Sequence, residues 1–537
     1  MTVRRVMGTE TEYGVLAPAL PNANATVLSS QIVNAYAATV RAGMGNLSGT
    51  RWDYTDEAPL NDARGFTVPR AAAEPSQLTD VQPGLGTESV AMEGGGPAAL
   101  YSDTGEDAAV LMNLVLGNGA RLYVDHAHPE YSSPEVTSPQ AAVLYDKAGD
   151  AVVLAAMRHI AATPGFSPVH LYKNNTDNKG VSYGSHENYL VPRSVPFARL
   201  ATGLIPFFVS RQVLCGSGRV GLGAGNQRPG YQLSQRADFF ETEIGLETTI
   251  RRPIINTRDE PHAVAEKYRR LHVIIGDANL SEVSILLKTG TASLVLSMIE
   301  AGTEPRIELR DPVGALQAIS HDPGLQALVE LKDGRQVTGL DLQEIYLEAA
   351  AAHCRSAGGA DPETEDILTR WTALVGTLKR DPMEAAAQVD WVAKLKLLQA
   401  YRDRDGLAWS DARLHLVDLQ YSDMRPEKGL YYRLAQRGQM ERVVTDAQIR
   451  AAMTTPPEDT RAYFRGRCVT RFPGEVVGAS WDSIIFELPS RRRLQRIPTR
   501  EPLRGTRALT QELFDIAADA EDFVARLLNG GERTVAP

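Results

Sequence analysis

The feature that most constrains this chain is the run Asn118-Gly-Ala-Arg-Leu-Tyr-Val-Asp-His-Ala-His-Pro-Glu-Tyr-Ser-Ser133. Asn118-Gly119 is a turn signal, because both residues tolerate positive φ. After it Arg121–Asp125 alternates: Leu122 and Val124 take one face, and Arg121, Tyr123 and Asp125 the other. The spacing predicts a strand with an apolar side for the core and a polar side carrying a cation, a phenol and a carboxylate. Pro129 is expected to end the pairing, with Glu130 and the hydroxyls of Ser132 and Ser133 beyond it. A second alternating run, Val6 to Gly14, puts Glu10 and Glu12 on one face, roughly 7 Å apart by the strand rise. Two carboxylates on a buried sheet face need cations, and a divalent metal supplies them.

The 537 residues are 43% hydrophobic and 23% charged, an ordinary globular balance. A net charge of −10 excludes broad, non-specific nucleic-acid binding as the main activity. Cys215, Cys354 and Cys468 are far apart and match no zinc spacing or disulfide framework, which fits a reducing cytoplasm. The N-terminus lacks a signal-peptide pattern and no run of 18 apolar residues occurs, so a cytoplasmic, non-membrane protein is expected; a monomer is expected as well, though no feature of the sequence argues the oligomeric state.

Residues 3–15 read as the first strand and 27–43 as a helix capped by Ser29 or Ser30. From about 45 to 110 glycine, proline and acidic residues crowd in and periodicity vanishes, which predicts a long flexible loop. Within it Arg51 to Phe66, with Trp52 and Tyr54, reads as a gating or recognition segment or as a plain insertion, removable at little cost in stability. Helices are expected over 137–162, 281–301, 340–355, 361–380 and 385–403. Strands are expected around His186 and around His272. Gly216 to Gly221 fits GxGxxG, but the Gly/Pro-rich residues after it cannot open a helix, so no dinucleotide site is read there. Asp459 to Arg467 and Ala479 to Leu488 read as strands or turns. The whole is α+β: a large domain over 1–450 whose antiparallel sheet carries the active site, and a small C-terminal domain over 451–537.

Glu10, Glu12, Tyr123, Asp125, Glu130, His186 and His272 collect on polar faces, with Arg121, Arg236 and Arg258. Carboxylates with an occasional imidazole suit Mg²⁺ or Mn²⁺. Arginines opposite such metals suit phosphate oxygens. Together they point to a nucleotide held by metals on a sheet, without a P-loop. Singly, each residue has a plainer role: a satisfied structural histidine, a solvent-facing glutamate, Arg258 paired with Asp259 or Glu260, Asp125 capping a turn. Spacing alone leaves both readings open.

Met7 to Gly14, Asn118 to Ser133, Ser185-His-Glu-Asn-Tyr189 and the run Asn256 to Asp277 resemble the family of Pup ligases and Pup deamidases, Pup being the prokaryotic ubiquitin-like protein. The resemblance implies a glutamine synthetase-like fold with a curved antiparallel sheet. Asp125-His-Ala-His-Pro-Glu and the long insertion before Asn118 are similar to the deamidase and depupylase branch. That branch hydrolyses the C-terminal glutamine of Pup and cuts the bond to substrate lysines; the ligase and a non-catalytic Pup-binding homologue are the alternatives. By matching motif the resemblance implies Mg²⁺ at Glu10, Tyr123, Glu130, His186 and His272. It implies ATP, or ADP plus phosphate, against Arg121, Ser133 and Trp481. Arg236 and Arg258 would face phosphate or substrate carboxylate, and Asp125 would be catalytic. Pup and pupylated proteins are the implied partners.

Overall fold

A computed structural model of the chain describes residues 2–44, 50–73, 77–78 and 111–531. The Gly-rich part of the expected loop falls almost wholly outside these residues. The centre is a six-stranded sheet in the order Tyr268–Val273, Ser185–Pro192, Met7–Glu12, His128–Ser132, Arg121–Asp125, Asn113–Val115, with every neighbouring pair antiparallel. Leu122, Val124 and Tyr131 cover its back and pack against Leu28, Ile32 and Tyr36 of the helix Ala25–Met44 and Val152, Val153 and Met157 of the helix Pro139–Ala162. Burying these side chains, each contributing about 1.5–3 kcal/mol when fully covered, fixes which face is left for chemistry.

A second core joins the helices Phe197–Ser210, Glu282–Ala301, Gly339–Ser356 and Pro362–Arg380. Glu282–Ala301 is, among the described residues, the one helix long and apolar enough to cross a membrane, yet it is buried within this core. A third core lies near the C-terminus, where Phe464, Phe472, Phe486, Phe514 and Phe523 pack with ring centroids 4.8–6.5 Å apart. The α+β expectation holds, with the residues of the polar runs on an antiparallel sheet.

Several local expectations are corrected. Pro129 does not end the pairing: it lies inside His128–Ser132, opposite Val124. The Val124 N–H bonds Met112 on the other side, so no hydrogen bond is asked of the proline nitrogen, while its carbonyl accepts from Tyr13 N–H at 3.0 Å. Ser29 and Ser30 lie inside the first helix rather than at its cap. Asn24 Oδ1 accepts from Thr26 and Val27 N–H at 2.8 and 3.3 Å, and Ser29 Oγ instead donates to the carbonyl of Ala127 at 2.8 Å. Residues 3–15 split into Met7–Glu12 and Gly14–Leu16, and the last long helix starts at Asp390 rather than 385. Ala462–Arg471 is a helix, not a strand or turn. Gly216 to Gly221 leads into the strand Arg219–Leu222, as the absence of a helix signal required.

The segment from Arg51 to Phe66 is also not a detachable gate. Arg51–Trp52 pairs in parallel with Val476–Ala479, and Trp52 is 4% exposed in the C-terminal core. Ala63 N–H bonds the Thr257 carbonyl and Asp259 N–H bonds Asn61. Of its aromatic side chains only Phe66 is exposed.

Candidate active site

The register brings the polar residues together. Glu10 lies opposite His186 on one side and Ser132 on the other; Glu12 lies opposite Glu130, Glu130 opposite Tyr123, Asp125 opposite His128, and Asn188 opposite His272. All share the face away from the helices, and Glu10, Tyr123, Asp125, Glu130, Ser132, His186 and His272 line a cleft of about 490 Å³ with Arg121, Arg258 and Trp481. The hairpin tip after Asp125 is held by the Ser29 hydroxyl and by His126 in the left-handed region at φ 52°.

Two clusters of ligand-type atoms form, each with its atoms within 4.8 Å of one another: Glu10, His186 and His272, and Glu12, Asp125 and Glu130. In the first, Glu10 is 3.0 Å from His186 Nδ1 and accepts from Asn188 Nδ2 at 2.8 Å. His272 Nδ1 meets Asn188 Oδ1 at 2.9 Å, which leaves the Nε2 lone pair for a ligand. Burial pushes the Glu10 carboxyl up, but His186, His272 and Arg270 outweigh it and hold the group well below its usual range. Burial and Arg270 push His272 well down, so the ring is neutral and able to donate its lone pair.

The second cluster is different. Glu12 accepts from Gly184 N–H at 2.7 Å and lies 3.4 Å from His128 Nδ1. A Cβ at Gly184 would collide with Glu12 Oε1 and His186 Nε2, so the close approach needs glycine. Glu130 is 1% exposed and accepts from the Tyr123 hydroxyl at 2.7 Å. Burial, then Asp125, Glu10 and Glu12, push its carboxyl well above the ordinary range. Crowded oxygen donors short of positive charge fit a hard divalent cation, and the Glu10 cluster supplies the matching carboxylate and imidazole set.

Arg121 lies between the Trp52 and Tyr123 rings at 4.0 and 3.8 Å, donating to Asn113 Oδ1 at 2.7 Å and Tyr54 Oη at 3.2 Å. Arg258 is 9% exposed, and its Nε has no hydrogen-bond partner among the described residues. Its neighbours do not quench it, since Asp259 pairs with Arg193 and Glu260 with Arg270. A buried guanidinium in this state suits an anionic ligand. Asp125 is 27% exposed at the side chain and lies 3.0 Å from His126 Nδ1. Ser133 and Trp481 line a smaller cavity of about 70 Å³ beside the cleft, Ser133 Oγ accepting from Thr9 N–H at 2.9 Å. Trp481 borders both.

Arg236 stands apart. It does not line the cleft. Its guanidinium donates to the carbonyls of Ile274 and Gly276 and to Ser182 Oγ. Burial and Arg252 push it down to about 9. It braces the backbone beyond the Tyr268–Val273 strand. The resemblance left Glu12 out of the implied Mg²⁺ set, although the strand spacing had paired it with Glu10 as a carboxylate in need of a cation, and the structure places it in the second cluster. Glu57 lines the cleft from a loop and carries no local signal, whereas Tyr54, which the sequence marked only as an aromatic in a polar segment, lines it too, and Asn188 supports it from the neighbouring strand.

The family model described as Pup-ligase protein matches residues 5–485. The chain belongs to the Pup-ligase family. Within this family it is 54% identical to a depupylase of Acidothermus cellulolyticus, over 98% of this chain and all of that one. It is 52% identical to a Pup deamidase/depupylase of Mycobacterium tuberculosis, over 98% of this chain and 99% of the other. A Pup–protein ligase of Nakamurella multipartita is 45% identical over 73% of this chain and 88% of its own. Among solved structures, a family member, the ligase PafA in complex with Pup, superposes with a TM-score of 0.74 at 30% identity, over 99% of this chain and 96% of that chain. PafA in complex with ADP gives 0.67 at 36% identity, over 75% and 89%.

Proposed function

We propose that this chain hydrolyses the C-terminal glutamine amide of Pup to glutamate and cleaves the isopeptide bond between Pup and substrate lysines. It does so in the bacterial cytoplasm, as a monomer, with ATP (or ADP plus phosphate) and Mg²⁺ bound. The observation that carries this reading is end-to-end similarity at 52–54% to deamidases and depupylases, against 45% over 73% of the chain for the ligase.

Both reactions are one hydrolysis: water adds across a C–N bond, giving a carboxylate and either ammonia or a lysine amine. The balance consumes no nucleotide. Asp125 stands at the accessible end of its strand, where an Oδ attacks the amide carbonyl or removes the proton from a water that does so. His126 orients the Asp125 carboxylate. Arg258 and Arg121 face the cleft as fixed cations and stabilise negative charge there without reorganising. Tyr123 aims Glu130, and Asn188 aims both Glu10 and His272. Mg²⁺ held by Glu10, His186 and His272, and by Glu12 and Glu130 beside Tyr123, would offset the carboxylate charge and polarise phosphoryl or carbonyl oxygens.

The test is direct. The protein is incubated with nucleotide and Mg²⁺, first with Pup ending in glutamine and then with a purified pupylated protein, and products are followed by mass. Release of ammonia and of unmodified lysines is expected. New Pup conjugates would make the chain a ligase, and nucleotide binding with no product would make it a non-catalytic Pup-binding homologue.

A further inference from the structure

Glu135 ties the C-terminal segment to the six-stranded sheet beside the small cavity. Glu135 follows the strand His128–Ser132 by three residues and lines the small cavity. Arg461 Nε meets its Oε1 at 2.9 Å, and Arg465 closes on both oxygens, with Nη1 3.3 Å from Oε1. The arginines stand four apart at the start of the helix Ala462–Arg471, so they project from one side of it. Both are buried, at 4% and 2% exposure. Burial pushes the Glu135 carboxyl up, but the two guanidiniums outweigh it and bring it down to about 2.

The remaining donors of the arginines go to particular carbonyls. Arg465 Nη1 donates to Trp481 O at 3.1 Å and Nε to Gly119 O at 2.9 Å, and the guanidinium lies 4.9 Å from the Trp481 ring centroid. Arg461 Nη1 donates to His262 O at 2.6 Å and Thr499 O at 2.9 Å. Trp481 and His262 border both the cleft and the small cavity. One carboxylate at the end of a catalytic strand therefore sets, through two rigid forks, where the wall formed by Trp481 and His262 stands. A fork of fixed geometry does this; a point charge does not.

We propose that Glu135, Arg461 and Arg465 are positioning residues that hold Trp481 and His262 against the catalytic sheet and thereby set nucleotide affinity rather than the rate of bond cleavage. This rests on the reading of Trp481 as part of the nucleotide wall. None of the three is needed for the hydrolytic step itself.

The experiment measures ADP affinity by equilibrium titration, and the ATP concentration for half-maximal hydrolysis together with kcat at saturating ATP. The variants are Glu135→Gln, Arg465→Lys, Trp481→Ala and the double variant Glu135→Gln/Trp481→Ala. Arg465→Lys keeps a charge for Glu135 but cannot span the Gly119 and Trp481 carbonyls, and it carries the test if Glu135→Gln does not fold. Each single variant is expected to weaken ADP binding and raise half-saturation about tenfold, and for Glu135→Gln and Arg465→Lys kcat should stay within about twofold, the pattern of lost ground-state binding. The double variant is expected to be no worse than Trp481→Ala, because residues acting through one contact do not add. A fall in kcat at unchanged half-saturation, or fully additive losses, overturns the inference. An effect of Trp481→Ala with silent Glu135→Gln and Arg465→Lys overturns it alone, whereas a silent Trp481→Ala overturns the nucleotide-wall reading and the inference with it.

Discussion

Replacing Trp52 by alanine tests whether the segment before the strand Arg121–Asp125 is a wall or a gate. Trp52 is 4% exposed in the C-terminal core, its ring lies 4.0 Å from the Arg121 guanidinium and 5.1 Å from the Trp481 ring, and its Nε1 donates to Glu57 Oε1 at 2.8 Å. Truncating a buried tryptophan costs about 3–5 kcal/mol through lost burial and the cavity left behind. The cation–π contact adds about 0.5–2 kcal/mol. These terms overlap, so a net loss of about 4 kcal/mol is expected. The assay is urea unfolding followed by far-ultraviolet circular dichroism, paired with limited proteolysis of the region 462–531. The midpoint should fall, and cleavage there should speed up in the absence of urea. A wild-type midpoint and slope with an altered hydrolysis rate would refute the packing argument and restore the segment as a gate.

Four further outcomes are expected. Asp125→Asn should lower deamidation and depupylation by at least about 10²-fold with ADP binding retained; near-normal turnover would remove Asp125 from the chemistry. Chelation of Mg²⁺ should abolish hydrolysis, and Glu12→Gln should raise the Mg²⁺ concentration needed to restore it; an unchanged requirement would place the metal elsewhere. Binding of Pup, expected to be acidic and to fold on a basic surface, should weaken as salt rises, as a salt titration of the dissociation constant would reveal. The Glu135 carboxyl, lowered from 4.5 to about 2, contributes stability that is present above pH 4.5 and lost as pH falls toward 2, about 3 kcal/mol at 1.36 per unit. Urea midpoints measured across that window should therefore fall less steeply for Glu135→Gln than for wild type.

Half-buried antiparallel strands write their period of two into the sequence, which is why Arg121–Asp125 and Met7–Glu12 were legible with the faces they present. What spacing did not contain is which strands become neighbours. The pairing of Glu12 with Glu130 and of Asn188 with His272 depends on register between distant segments, so the division into two clusters emerged only in three dimensions. Pro129 misled because a proline is tolerated wherever the opposite N–H looks to a third strand. Helix Ala462–Arg471 misled for a related reason. A Cβ at Gly466 would run into the Gly117 carbonyl, so the glycine that reads as a turn is there for close packing. Arg236 shows the reverse error: a buried guanidinium resembles an anion site by type, yet its donors are already committed to backbone carbonyls. Trp52 had no periodic context, because its partner strand lies hundreds of residues later.

That pairing of Arg51–Trp52 with Val476–Ala479 has a consequence for synthesis. On the ribosome the six-stranded sheet acquires its last strand once Tyr268–Val273 emerges, yet Trp52 stays uncovered until more than two hundred further residues are made. Through that interval the nascent chain carries an exposed tryptophan beside Arg121 and lacks Trp481 altogether. A chain stalled or cleaved ahead of residue 476 would therefore display its assembled carboxylates without the wall that closes over them, and would be a target for chaperones and proteases rather than a slow hydrolase.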